Sequence, residues 1–321
     1  MVIDRANINV FVMGEAMVEL APSSVHTMSV GFGGDTYNTS VYLARLGWRP
    51  HFVTALGTDL YSQRLRAVMR AEGIMVEHVL TNPEKLPGLY TIELDEHGER
   101  SFHYWRSDSA ARTFFDLPDS EAAMDAMARA DCLVLSGITL AIFSDAECAR
   151  LFEVAKSVKS RGGHVVFDPN YRPKLWTDPK DAIAAYKKLA PHTTIVLTTE
   201  GDEAALHGDQ SLEDIAGFWA GDMPTLLVLK KGGEGAMVIE PSAKPILVPA
   251  IKDHDPLDTT GAGDSFNAAF LAAYLGGATP CDAAAQGNDL AAQVIRTHGA
   301  IAPRDRAGAT AYKGPATSRR V

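Results

Sequence analysis

The chain has 321 residues, of which 46% are hydrophobic and 22% charged, and a formal net charge of −10 at pH 7. That composition supports a large globular core and argues against global disorder, while the acidic balance argues against nonspecific nucleic-acid binding, which needs clustered Lys and Arg. No apolar run approaches a membrane span, the N-terminus lacks a secretory signal's basic start and apolar core, and Cys132, Cys148 and Cys281 form no C-x-x-C pair; the expectation is a cytoplasmic protein with buried thiols, no disulfide framework, no structural zinc and no membrane partner.

In chain order, apolar β-branched runs at 8–14 and 51–57 read as buried strands. Between them Gly33 and Gly34 precede a helix-like run at 35–46, capped by Asp35 or Thr36 and ended by Gly47. Two arms at 88–94 and 100–106 then alternate at period two around a turn at 95–99, which predicts a β-hairpin outside the main layer. With a partner strand near 28–32 it makes a small sheet, or lid, over the ligand edge. Further on, helix-like runs at 119–130, 145–161 and 178–190, each opening on an Asp at or near its N-cap, alternate with strand-like runs at 132–137, 164–170, 194–199 and 225–232. This alternation predicts the α/β class, a doubly wound, mostly parallel sheet with helices on both faces and ligands at the carboxyl ends of its strands. No repeat of a solenoid period is visible, and the tail from about Arg304 has no apolar period, so it is expected to be loosely ordered.

The densest chemistry lies in Asp258-Thr-Thr-Gly261-Ala262-Gly263-Asp264, where a glycine turn, a carboxylate and a helix start coincide. Glycines let bare N–H groups approach an anion, and the helix adds its positive dipole end. Asp264 in the first turn is placed to take a proton from an alcohol aligned with a phosphate there. The same residues would also serve as a plain capped helix start, so the rest of the chain decides. A Walker loop is excluded because no Gly-Lys-Ser/Thr occurs; the glycines at 31–34 lack the third glycine of the dinucleotide fingerprint, and Gly263-Asp264-Ser265-Phe266-Asn267 misses the last glycine of a hydrolase elbow.

On the hairpin, Tyr104 and Arg106 stand two apart and share a face, as Tyr90 and Ile92 do on the other arm. A guanidinium fork matches a carboxylate, and Arg172 supplies a second cation, which favours an anionic small molecule as partner. Asn38, one turn into its helix, can hydrogen-bond substrate hydroxyls. Lys230 and the glycines Gly232, Gly233 and Gly235 follow a buried strand, where a flat base or phosphate can approach. The bland alternatives are a surface pairing of Arg106 with Asp108 or Glu93, a solvent-facing Asn38 and an ordinary hairpin turn at 232–235.

Two signatures more than two hundred residues apart, Gly33-Gly34-x-x-x-Asn38-x-Ser40-x-x-Leu43-x-x-Leu46-Gly47 and the segment from Asp258 to Asp264, together resemble the ribokinase (PfkB) family of carbohydrate kinases. Within it the likeness is to 2-keto-3-deoxygluconate kinases, through Gly14-Glu15-Ala-Met-Val-Glu19-Leu-Ala-Pro22, Tyr104-Trp105-Arg106 and Phe167-Asp168-Pro-Asn170-Tyr171-Arg172. The resemblance implies a kinase domain over 1–306 with a β-lid from about 14–34 and 86–108, a tail at 307–321, and ATP-dependent phosphorylation of a sugar acid's terminal hydroxyl. It implies Asp264 as base, Gly261, Ala262 and Gly263 as anion hole, and Gly34, Asn38, Tyr90, Tyr104, Arg106 and Arg172 as substrate contacts. Asn170, Lys230, Gly232, Gly233, Gly235 and Asn288 fall on the ATP side, and Mg²⁺ is implied as cofactor. Many relatives carry Asn-x-x-Glu after the strand at 194–199; here the match is Thr199-x-x-Asp202, so Asp202, Glu200 and Glu203 all stand as water-mediated magnesium carboxylates. A homodimer through the lid strands is expected. The alternatives are a fructokinase- or ribokinase-type kinase of a neutral sugar, and a catalytically silent sugar-binding protein on the same fold.

Overall fold

The computed structural model describes residues 8–24, 26–94, 100–220, 225–251 and 256–304, with the side chains of Leu94 and Arg100 left aside. The expected tail at 307–321 and the hairpin turn at 95–99 lie outside the described residues.

The N-terminal half runs β1 (Val10–Met13), β2 (Met17–Ser24), β3 (Thr27–Gly33), α1 (Asp35–Arg45), β4 (His51–Leu56), α2 (Leu60–Glu72), β5 (Val79–Thr81), β6 (Leu89–Leu94), β7 (Arg100–Trp105) and α3 (Ser120–Met127). It continues through β8 (Cys132–Ser136), α4 (Gly137–Ala141), α5 (Asp145–Ser160), β9 (His164–Asp168), α6 (Pro179–Leu189), β10 (Ile195–Thr199), α7 (Glu200–His207) and α8 (Leu212–Ala220). The last part holds β11 (Leu226–Lys230), β12 (Gly235–Ile239), β13 (Ile246–Pro249), α9 (Ala262–Leu275) and α10 (Pro280–Val294).

The main sheet has the order β13-β12-β11-β10-β9-β8-β1-β4-β5. Every pairing from β11 to β5 is parallel, and β12 and β13 close one edge antiparallel. From β1 the chain winds outward to β4 and β5, then returns beside β1 as β8 and winds the other way. The order therefore reverses between β1 and β8, and their carboxyl ends open the crevice where ligands of doubly wound sheets bind.

Period-two alternation divides each central strand between two cores. Val10, Val12, Val166, Ile195 and Leu197 face α1, α2, α9 and α10, whereas Phe11, Met13, Val165, Phe167 and Val196 face α3, α5, α6 and α8. The caps differ in part from expectation. Asp178 and Asp119 stand at the N-caps of α6 and α3, the latter without a side-chain bond, and Asp145 follows Ser144, which caps α5 in a capping box with Glu147, whereas α1 is capped by neither Asp35 nor Thr36 because its N-cap is Gly34. Among the described residues no helix is long and apolar enough to cross a membrane. Cys132 and Cys148 are buried, and Cys281 is half-buried.

A second sheet of order β3-β2-β6-β7 stands apart from the main one. Its hairpin β6–β7 is antiparallel, with Tyr90 opposite Tyr104. The segment at 28–32 does belong to this sheet, but it is not the hairpin's neighbour: β2 lies between them, parallel to β6 and antiparallel to β3. Met17, Tyr90 and Ile92 form the small core beneath the lid.

Candidate active site

The turn at 258–264 is built from below. Asp258 accepts from the N–H of Thr260 (3.0 Å) and of Gly299 (2.5 Å), which closes the turn against the segment near 299. Gly261 has φ 75°, and a Cβ there would lie 2.4 Å from the Ala300 carbonyl oxygen, so only glycine fits. Tyr42 of α1 fixes that segment by donating to Ala300 O (2.8 Å) and accepting from Ala302 N (2.9 Å). Gly261 is the N-cap of α9 and no side chain caps the helix; the N–H of Ala262 donates to Thr259 O (3.2 Å), which leaves those of Gly263 and Asp264 at its positive end without an intrahelical partner.

Asp264, in that first turn, is half-buried. Asn38 Nδ2 donates to its Oδ2 (2.8 Å), and Thr39 Oγ1 donates to its carbonyl (3.3 Å). Burial pushes the Asp264 carboxyl up to about 7; the charge of Asp35 adds to this, the Asn38 hydrogen bond opposes it, and weaker influences come from Asp168 upward and Lys230 downward. A carboxylate tuned this way is a competent base at neutral pH. Asn38 is 5% exposed, which rules out a solvent-facing helix residue, and its amide is engaged by Asp264 while Oδ1 stays buried and unbonded. Gly34, with φ 143°, would place a Cβ 2.2 Å from the Glu15 carbonyl oxygen, so α1 begins hard against the end of β1.

Nearly one turn further along α9, Asp168 at the end of β9 gathers three donors. Lys230 Nζ (3.2 Å) and Asn267 Nδ2 (2.5 Å) bond Oδ2, and Asn170 N bonds Oδ1 (3.0 Å). Lys230 also donates to Asn267 Oδ1 (2.9 Å). The triad ties β9, β11 and α9 together and places the ammonium 3.7 Å from where a Cβ on Gly263 would lie, beneath the glycine turn. A cleft of about 400 Å³ runs outward from there, lined by Lys230, Gly232, Gly235, Gly263, Phe266 and Asn288 among others. Gly233 is not among its lining residues. The loop at 232–235 is also the hairpin turn between β11 and β12, so the two readings of it coincide. Asn288 holds the cleft wall by donating to the carbonyls of Val248 (3.1 Å) and Pro249 (3.2 Å). Asn170, at φ 34°, turns instead toward α1 and donates to Asp35 (3.1 Å).

The lid presents its tyrosine face to α1 and α9. Tyr90 is 5% exposed and its hydroxyl donates to Glu19 on β2; burial and the Glu19 charge hold that phenol well above its usual range. Tyr104 packs against Tyr90 with ring centroids 5.7 Å apart. Tyr104 itself is 46% exposed; partial burial raises its pKa, the charges of Arg106 and Arg172 oppose this, and that of Asp35 adds to it. Arg106 lies over the Tyr104 ring at 5.9 Å and pairs with Glu15; Asp108 pairs with Lys85, and Glu93 with His103, so neither surface pairing of Arg106 forms. Arg172 is half-exposed and donates to Asp202 Oδ1 (3.3 Å).

Of the three carboxylates set down for magnesium, Glu203 is excluded. Its Oε1 accepts from Thr198 (2.6 Å) and Trp219 (2.8 Å) inside the core, and it is 1% exposed. Glu200 pairs with Lys231 (2.7 Å), and Asp202, its pKa raised by burial and by Asp168, pairs with Arg172. Among the described residues no group of three or more His, Cys, Asp or Glu side chains is arranged to hold a metal.

Asp168, Asp35, Asn267, Glu15 and Glu19 received no role from sequence reasoning beyond motif letters or a cap. Asn267 carried a usable signal, a polar residue inside the apolar run of α9, and Glu19 a similar one inside the apolar alternation of β2.

Residues 1–307 match the pfkB family carbohydrate kinase domain. The chain belongs to the pfkB family of carbohydrate kinases. It is 39% identical over 301 residues to the 2-dehydro-3-deoxygluconokinase of Dickeya dadantii (strain 3937), covering 92% of this chain and 97% of the relative. It is likewise 39% identical over 300 residues to the 2-dehydro-3-deoxygluconokinase of Escherichia coli (strain K12), with the same coverage. The fructokinase of Vibrio cholerae O395, solved with fructose, ADP and calcium ion bound, superposes with a TM-score of 0.79 over 93% of this chain and 96% of that one, at 27% identity. The fructokinase likeness is thus the more distant one.

Proposed function

We propose that this kinase transfers the γ-phosphoryl group of ATP to the terminal hydroxyl of 2-keto-3-deoxygluconate, giving the 6-phosphate and ADP. The observation that carries the reading is the placement of Asp264, a carboxyl raised to about 7 in the first turn of an uncapped helix, close to a lid that bears Tyr90, Tyr104 and Arg106, with Arg172 on the loop after β9 of the main sheet. Asp264 accepts the hydroxyl proton as the new O–P bond forms and the bond to the ADP oxygen breaks. The turn Gly261-Ala262-Gly263 stabilises charge on the moving group, through Gly261 and Gly263 N–H directly and through Ala262 once its N–H leaves Thr259 O, with Lys230 below them. Because such a transition state is loosely bonded, alignment and charge stabilisation supply most of the acceleration. The sugar carboxylate is read by Arg106 and Arg172, and the 400 Å³ cleft takes the nucleotide.

Mg²⁺ fits this chemistry without a protein cage: it would neutralise phosphate oxygens and keep most of its waters, with Asp202 or Glu200 as outer carboxylates. The pairing already drawn between Asp202 and Arg172 makes Asp202 a link between the metal side and the sugar side.

The assembly is a homodimer through the lid strands. Met28 (54% exposed), Val30 (48%) and Trp105 (61%) share, by strand register, the lid face opposite Tyr90 and Tyr104, and β3 and β7 are sheet edges. Sedimentation at micromolar concentration should give a dimer; a monomer contradicts it.

The functional reading is tested by ADP release across keto-deoxy, aldonic and neutral sugars, with phosphorus NMR of the product. Phosphate on the terminal hydroxyl of the keto-deoxy acid is expected. Faster turnover of fructose or ribose, or no ADP release with any acid, contradicts it.

A further inference from the structure

Glu15 stands where the chain leaves β1 of the main sheet and enters β2 of the lid, and the phosphoryl-transfer reading gives it no part. It is 1% exposed, and its carboxylate lies against the Nη2 of Arg106, a residue 7% exposed. The space around it is kept open: a Cβ on Gly34 would strike its carbonyl oxygen at 2.2 Å, and a Cβ on Gly88, at the root of β6, would come 2.6 Å from its Oε1. A buried carboxylate held in a pocket that neighbouring glycines keep free is a built feature of the lid root, not a chance surface pairing.

The pairing is also incomplete in a definite way. Neither Glu15 oxygen accepts an aligned hydrogen bond, and Arg106 Nε and Nη2 are sealed from solvent with no aligned acceptor. The contact is therefore a charge contact rather than a bidentate fork. Nη1 is not among the sealed atoms, so the guanidinium is gripped from the core side and keeps one edge accessible beside the Tyr104 ring. Removing one member of a buried ion pair leaves the other uncompensated, so the carboxylate governs where the guanidinium sits.

We propose that Glu15 is a positioning residue that anchors Arg106 from behind, so that its Nη1 edge meets the substrate carboxylate at a fixed depth beneath the lid. The inference rests on the sugar-acid reading of Arg106. It makes the acid specificity a two-residue device: Arg106 supplies the donors, and Glu15 fixes their reach while offsetting enough charge to let the phosphorylated acid leave.

The test is steady-state kinetics and thermal denaturation of Glu15→Gln. The KM for 2-keto-3-deoxygluconate should rise about ten- to hundredfold, the worth of one charge-assisted hydrogen bond, while kcat and the KM for ATP stay within about threefold. A lower melting temperature with an unchanged acid KM makes Glu15 merely structural and overturns the proposal, as does an equal rise in both KM values. If Glu15→Gln does not fold, Glu15→Asp decides. It keeps the charge but draws the guanidinium back by one methylene, so the acid KM should rise at least threefold, and an unchanged KM contradicts the proposal. Arg106→Met separates this from failure of the underlying reading: if that variant leaves the acid KM unaltered, the sugar-acid assignment of Arg106 fails; if it raises the KM and neither Glu15 variant does, only the role of Glu15 fails.

Discussion

The two walls of the cleft are made in opposite ways. The α9 wall is backbone and buried polar framework, with a glycine turn pinned by Asp258 and Tyr42 and underpinned by the Asp168, Lys230 and Asn267 triad. The opposite wall is side chains: Tyr104 and Arg106 at the edge of a small sheet with a three-residue core, joined by Arg172 from the loop after β9. The first has little freedom and suits a reaction whose geometry does not vary. The second can change its side chains without disturbing the main sheet, which is where a difference between acid and neutral sugars can be written. Rate should therefore depend on one wall and selectivity on the other, and variants can separate them.

The largest effect is expected at Asp264. Asp264→Asn should lower kcat by at least ~10²-fold, the usual contribution of a general base, with the acid still bound nearly normally by calorimetry; turnover like that of the unaltered enzyme refutes the base. Next come Arg106→Met and Arg172→Met. Each should raise the KM for the acid by about ten- to hundredfold through loss of a charge-assisted contact, leave kcat nearly intact and leave any residual activity on fructose unchanged. Equal losses on both sugars would erase the distinction between the walls.

Asp168→Asn tests the framework. It leaves Lys230 buried without its carboxylate and should cost about 3 kcal/mol in urea denaturation, the order found when one member of a buried pair is removed. A loss below about 1 kcal/mol would mean the triad is not what holds the turn.

The pH dependence of Asp264 follows from its raised carboxyl. A group whose folded pKa lies above its unfolded value lends stability below the unfolded value, near 3.8, and loses it as pH rises through the folded value of about 7. The stability of Asp264→Asn relative to the unaltered protein should therefore climb between about pH 4 and pH 7 and level off above. In the unaltered enzyme kcat/KM should rise through about pH 7 as the base ionises. A flat stability difference over that range contradicts the raised carboxyl. The smallest effect belongs far from both walls: Ser144→Ala removes the α5 capping box and should cost ~1 kcal/mol of stability without touching kinetics.

The sequence carried the main sheet well because buried parallel strands are short apolar runs, and those at 51–57, 132–137 and 194–199 form within a residue or two of where the pattern puts them. The hairpin was legible for the same kind of reason, since Tyr90, Ile92, Tyr104 and Arg106 alternate in plain view. The order of the lid strands was not, because β2 mixes Glu19, Pro22 and serines, and its parallel pairing with β6 is a long-range choice that no local pattern encodes. Asp258 to Asp264 declared itself through adjacent glycines and a carboxylate. Asp168, Asn267 and Lys230 meet only because three distant elements converge, so their partnership had to wait for the fold. Glu203 misled because a carboxylate in the first turn of α7 looks like a metal ligand, whereas that helix rotates it onto Thr198 and Trp219.

The central claim, that one wall transfers the phosphoryl group and the other chooses the acid, is met most directly by one ratio: kcat/KM for 2-keto-3-deoxygluconate over that for fructose, in the unaltered enzyme and in Arg106→Met. The account predicts a ratio of at least ~10² in the first, the discrimination two charge-assisted contacts supply, and a fall of at least tenfold in the second. A ratio near one in the unaltered enzyme, or one that Arg106→Met leaves unmoved, would contradict it.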